Sequence, residues 1–162
     1  MKKTATLLSV IFLLIVSGCS KSGRRHIKND NPNSEKTVIG MSNIDGIYKI
    51  PVEINDTKMD FIFDTGASMI SMSTTEALFL YKRGTLRDSD FKGNMDFTDA
   101  TGNISEGTII NLNTVKIGNR VLHDVEASVT NNFRAPLLLG QSALAQFGKV
   151  SIDYSRNEIT FE

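Results

Sequence analysis

The sequence has no tryptophan, one cysteine, two histidines and three prolines among its 162 residues. With Cys19 alone, an internal disulfide and a cysteine-based zinc site are both excluded. An excess of charge of one sign is missing too, since 18 Lys and Arg balance 18 Asp and Glu. Nothing in that balance points to nucleic acid as a partner. Long hydrophobic runs are confined to residues 7–16, too short for a comfortable transmembrane helix. The two histidines offer neither a serine triad nor a metal cluster: His26 lies in a polar stretch and His123 in a strand pattern, where partly buried structure is its expected role.

What is present begins with Lys2 and Lys3, the apolar run, and then Val16-Ser17-Gly18-Cys19. Small residues ahead of a cysteine that closes such a run resemble the lipobox of bacterial lipoproteins. That resemblance implies a signal peptide over residues 1–18, with Cys19 lipidated as the new N-terminus. Cleavage there removes two lysines and no acid, leaving 16 basic and 18 acidic side chains. Residues 19–36 are rich in turn formers and nearly free of apolar side chains, and so read as a flexible linker. Lys21, Arg24, Arg25 and Lys28 in it can lie against anionic headgroups or be simply solvated. The expected location is the bacterial cell envelope, with Ser20 after Cys19 compatible with outer-membrane sorting, facing the periplasm or the surface.

From residue 37 onward short apolar runs alternate with turn signals and helical periodicity is scarce, which predicts a mostly β domain over 37–162. Ile47, Ile50, Val52 and Ile54 form one strand, Asn55-Asp56 a hairpin turn, and residues 58–64 the return strand. An extended stretch follows at 69–73. Ser73 or Thr74 then caps a short helix to about Lys82, stopped by Gly84. Further strands are expected at 94–98, 104–112, 114–117 and 121–129, with turns at 99–103 and at Gly118-Asn119. A second short helix spans 141–147 and is closed by Gly148; a hairpin over 150–161 ends the chain.

An aspartate at the end of an apolar strand needs hydrogen-bond partners, a turn into solvent, or a shifted pKa. Asp64 ends the run FIF, and Thr65, Gly66 and Ser68 follow it. Gly66 lets the backbone aim an N–H at the carboxylate, and the hydroxyls of Thr65 and Ser68 are candidate donors. Taken alone, Asp64 also reads as a turn residue with no further role.

Residues 62–68, IFDTGAS, resemble at every position the active-site motif of aspartic proteases. Leu138-Leu139-Gly140, followed by the helix at 141, resembles the segment that passes behind that loop in the family. Residues 97–107, with a tip at Ala100, Thr101 and Gly102, resemble its flap. Since the chemistry needs two carboxylates and the chain has one such motif, it resembles the single-lobe, retropepsin-like members. That resemblance implies an all-β, partly open barrel-like lobe with two short helices, active as a two-fold homodimer.

The family mechanism implies two Asp64 side chains sharing one proton, and a water between them that attacks a peptide carbonyl. Thr65 would lock the two loops together, Gly66 would support the carboxylate, and Ser68 would bond its outer oxygen. Peptides or proteins are the implied partners, with no cofactor and no metal. Two other readings stay open: an inactive peptide-binding module of the same fold, and a structural envelope lipoprotein. Asp99 beside the flap tip is either a solvated turn residue or a contact for basic substrate side chains.

Overall fold

The computed structural model describes residues 36–99 and 101–162. The signal segment, Cys19, the linker up to residue 35 and Ala100 lie outside the described residues. No helix among the described residues is long and apolar enough to cross a membrane.

Strands β1 (Thr37–Gly40), β2 (Ser42–Ile44), β3 (Ile47–Ile54) and β4 (Thr57–Phe63) come first, then β5 (Ile70–Ser73) and helix α1 (Thr74–Lys82). Next are β6 (Phe91–Thr98), β7 (Ile104–Ile117), β8 (Arg120–Thr130) and the two-residue β9 (Leu138–Leu139). Helix α2 (Gln141–Leu144), a 3-10 turn, β10 (Val150–Asp153) and β11 (Glu158–Phe161) complete the chain. One sheet runs β2-β3-β4-β9-β5-β8-β7-β6, and an added pairing of β3 with β7 curls it toward a barrel. The remaining three strands form a small sheet, β1-β11-β10. The expected all-β lobe with two short helices is what the chain forms.

Local chemistry explains most of these elements. Ile50, Val52 and Ile54 are buried at every second position of β3, as a strand with one face inward requires. Asn55 and Asp56 both take left-handed backbone angles, φ 45° and 62°, the twist a two-residue hairpin favours. Ser73 caps α1 by accepting from the N–H groups of Thr75 and Glu76, and Gly84 at φ 73° follows its last turn.

The strands expected separately at 104–112 and 114–117 are one strand, β7. Its buried residues change parity across Asn113, from Ile110 and Leu112 to Val115 and Ile117. β8 switches in the same way around Asp124, which takes φ 54°. A change of buried face within a continuous ladder reads in sequence as a break between two strands. It lets one long hairpin serve two layers of the core. His123 sits on this hairpin opposite Thr114 and is exposed, which corrects the expectation of partial burial.

The core runs through Ile50, Phe61, Ile70, Leu112, Leu139 and Phe147, all fully or almost fully buried. Arg120 is buried as well, donating to the Phe147 carbonyl at 2.8 Å and to Thr37 Oγ1 at 3.3 Å, and so links β8 to the 3-10 turn after α2 and to β1.

Candidate active site

β4 delivers Asp64 to the surface one residue beyond its last ladder position. Beneath it, β9 lies between β4 and β5, parallel to the first and antiparallel to the second. The Ile62 N–H donates to the Leu137 carbonyl at 2.9 Å and the Asp64 N–H to that of Leu139 at 3.2 Å. Leu138 and Leu139 thus hold the backbone on which the aspartate stands.

The loop itself hangs from α2. Gln141 N–H donates to the Ala67 carbonyl and Ser142 N–H to that of Ser68, both at 2.9 Å, while Gln141 Nε2 reaches the Thr65 carbonyl at 3.2 Å. Gly140 makes this approach feasible. A Cβ there would lie 2.2 Å from the Met69 carbonyl oxygen and 2.8 Å from that of Ala67. Its φ of −93° is ordinary, so close approach and not backbone conformation demands glycine. Gln141 and Ser142 were not singled out from sequence; their place directly after Leu138-Leu139-Gly140 was the available signal.

Asp64 is half-buried, and its Oδ1 accepts from the Gly66 N–H at 2.8 Å. A Cβ on Gly66 would come within 3.2 Å of that oxygen. Among the described residues no second hydrogen bond reaches the carboxylate, which leaves Oδ2 open. Thr65 and Ser68, the other candidate donors, are both exposed, and neither hydroxyl bonds Asp64 in the single chain. Glycine lets the peptide turn back on the carboxylate, whereas the side chains on either side project outward.

The expected flap is the β6–β7 hairpin. Asp99 organises its turn, its Oδ1 accepting from Thr101 N–H at 2.8 Å, Thr101 Oγ1 at 2.6 Å and Asn103 N–H at 3.0 Å. Gly102 supplies the left-handed residue, φ 87°. The Thr101 hydroxyl, with the backbone N–H groups of Thr101 and Asn103, holds the Asp99 carboxyl below its ordinary 3.8. These bonds make Asp99 a turn-building residue. Toward the hairpin base, Gly107 leaves room for the Phe97 ring, which a Cβ would meet at 2.8 Å.

A cavity of about 600 Å³ lies between α1 and this hairpin, lined by Leu78, Tyr81, Phe91, Glu106 and Val129 among others, and no residue of the Asp64 loop borders it. No group of three or more metal-binding side chains occurs among the described residues.

Comparison with known proteins agrees with this geometry. The family described as "gag-polyprotein putative aspartyl protease" matches residues 50–146. The solved structure of a retropepsin-like aspartic protease from Rickettsia conorii superposes with a TM-score of 0.56 at 25% identity, over 78% of this chain and 89% of that one. EIAV protease, solved with the inhibitor HBY-793, gives 0.49 at 19% identity, over 65% and 91%. No curated protein matches the sequence.

Proposed function

This chain belongs to the gag-polyprotein aspartyl protease family, a retropepsin-like aspartic protease by sequence and fold, and from that premise we propose that it is a lipid-anchored aspartic endopeptidase of the bacterial cell envelope. The observation that carries the reading is the Asp64 carboxylate: half-buried at the end of β4, one oxygen fixed by Gly66 and the other open. A chain that used this fold only for structure gains nothing from a carboxylate held so.

In the proposed mechanism two copies bring their Asp64 side chains together, and the pair shares one proton. A water between the open oxygens gives a proton to the ionised carboxylate and attacks the scissile carbonyl carbon. The protonated carboxyl gives its proton to the carbonyl oxygen. The tetrahedral diol then collapses, the C–N bond breaks, and the amine nitrogen takes a proton from the dyad. Thr65, exposed beside Asp64, bonds the other copy's loop. The β6–β7 flap with Thr101 and Gly102 closes over an extended peptide and excludes bulk water. Cys19 holds the domain on the membrane through the linker.

The test is cleavage of a mixed peptide library by the full chain in detergent, followed over pH beside Asp64→Asn and with a pepstatin-type inhibitor. The expected result is cleavage that Asp64→Asn lowers by about a thousandfold or more and that the inhibitor blocks. Peptide binding without cleavage, unaffected by Asp64→Asn, would replace the enzyme with a binding module. Metabolic labelling with a fatty acid tests the anchor, with loss of label expected in Cys19→Ala.

A further inference from the structure

In the small sheet, β11 lies in the middle and is flanked on both sides by strands of its own chain. It has no edge to offer a partner. Among the described residues, β1 and β10 are the outer strands of this sheet. β1 is tied to the Gly118-Asn119 turn, with Thr37 bonded to Asn119. At the end of β10, by contrast, Ile152 and Tyr154 share a cleft with Ile62 and Phe63, the two residues that precede Asp64. Of the two edge strands, β10 is the one that places a residue of its own, Ile152, in that cleft.

That edge has unmet backbone groups. Lys149 and Glu162 exchange both backbone hydrogen bonds, at 3.1 and 2.8 Å. Bonded and non-bonded pairs alternate along an antiparallel ladder, so Ser151 and Asp153 also face β11 with their N–H and C=O groups. Those of Val150 and Ile152 point to the open side. Monomeric proteins guard such an edge with charge or proline. Here the nearby charges are turned away from it: Lys149 Nζ folds onto Glu162, and Asp153 Oδ1 accepts from Ser155 and Arg156 in its own turn. Around the edge, Ile47 and Tyr154 are exposed apolar side chains, and the Tyr154 ring lies 5.1 Å from that of Tyr48.

Resting on the homodimer of the preceding reading, we infer that two copies of this chain join edge to edge through β10, antiparallel, with Ser151 on the two-fold axis. Val150 then exchanges both backbone bonds with the partner subunit's Ile152, and Ile152 with the partner subunit's Val150, which uses every open group of the strand. Lys149 lies opposite the partner subunit's Asp153 on the exposed face, so no like charges meet across the edge. Centring the axis on Val150 or Ile152 instead places Gly148, at φ 95°, or Tyr154, in the turn, where an extended residue is needed. Half of the bonds are then lost. The result is one six-stranded sheet across the dimer, with no exchange of terminal strands and with the axis beside the β4 end that carries Asp64.

The experiment is disulfide trapping in the full chain carrying Cys19→Ser, which removes the one native thiol. Ser151→Cys, at an exposed position, is compared with Thr160→Cys, which lies directly opposite Ser151 on the central strand. Residues on the axis of a non-bonded antiparallel pair have Cα atoms about 4.5 Å apart, within disulfide reach. The expected outcome is that S151C oxidises to a covalent dimer while T160C stays monomeric on a non-reducing gel. A T160C cross-link, a sedimenting dimer that S151C cannot trap, or a chain monomeric throughout overturns the edge. Peptide cleavage is measured on the same samples. A trapped dimer that never cleaves keeps the interface and sinks the peptidase, whereas cleavage by a dimer that S151C does not trap does the reverse.

Discussion

A methyl group on Gly140 would sit 2.2 Å from the Met69 carbonyl oxygen, with loop backbone on one side and β9 behind. Neither neighbour is a flexible side chain that can swing away, so Gly140→Ala has to separate the Asp64 loop from α2. It is expected to cost about 3 kcal/mol in urea unfolding and to lower activity further than that loss of stability explains. Gly66→Ala is a milder clash, 3.2 Å to Asp64 Oδ1. It should leave the unfolding midpoint nearly unchanged while cleavage falls, because the carboxylate moves by a few tenths of an ångström. Asn55 is a residue whose weight appears only in three dimensions. It is buried, with Nδ2 donating to the Thr85 carbonyl at 2.7 Å and Oδ1 accepting from Thr114 N–H at 2.9 Å. Asn55→Ala orphans both partners and is expected to destabilise by about 2–3 kcal/mol, read from the same denaturation curves.

Among the elements, the flap hairpin links stability to pH through Asp99. Its carboxyl titrates below 3.8 in the folded chain, chiefly because the Thr101 hydroxyl donates to it. The contribution to turn stability is thus fully present above 3.8 and is lost as pH falls through the folded value. A carboxyl-carbon NMR titration should place Asp99 below 3.8, and Thr101→Val should bring it back up. The flap turn then stays ordered at weakly acidic pH, above the folded value of that carboxyl. The same hairpin shows how far periodicity reaches. A strand whose buried face switches at Asn113 looks like two strands, because alternation reports burial and only the ladder with β8 reports continuity. Residues 37–44 carried little strand signal, yet β1 and β2 form there by pairing with β11 and β3.

For the whole molecule, the proposed two-aspartate mechanism makes activity a property of pairs, since each chain carries one such motif. Mixing equal amounts of active chain and Asp64→Asn, with time for exchange, should leave about one quarter of the activity, since only like pairs of active chains hold two aspartates. A fall to about one half would instead mean that each chain works alone. The terminal sheet adds an acid limit: Lys149, then Lys36, hold the Glu162 carboxyl below 4.5. That support is present above 4.5 and disappears as pH falls through the folded value, so the terminal sheet should open more readily in acid, as amide exchange of its strands across pH would show.

Residue chemistry and short spacing determined a great deal by themselves. IFDTGAS fixed the candidate carboxylate, Asn55-Asp56 and Gly84 fixed turns by their left-handed preference, and Leu138-Leu139-Gly140 pointed to a second segment. All of these act through neighbours a few residues away. What only the tertiary structure decided is which distant groups meet. The sequence left open whether the hydroxyls of Thr65 and Ser68 would reach Asp64; among the described residues the Gly66 N–H is what bonds that carboxylate. Gln141 bears the loop, and the terminal strand is shut inside its own chain with β10 left at the edge. Long-range pairing is set by the closure of the whole sheet and by packing against it, which no local pattern of residues encodes.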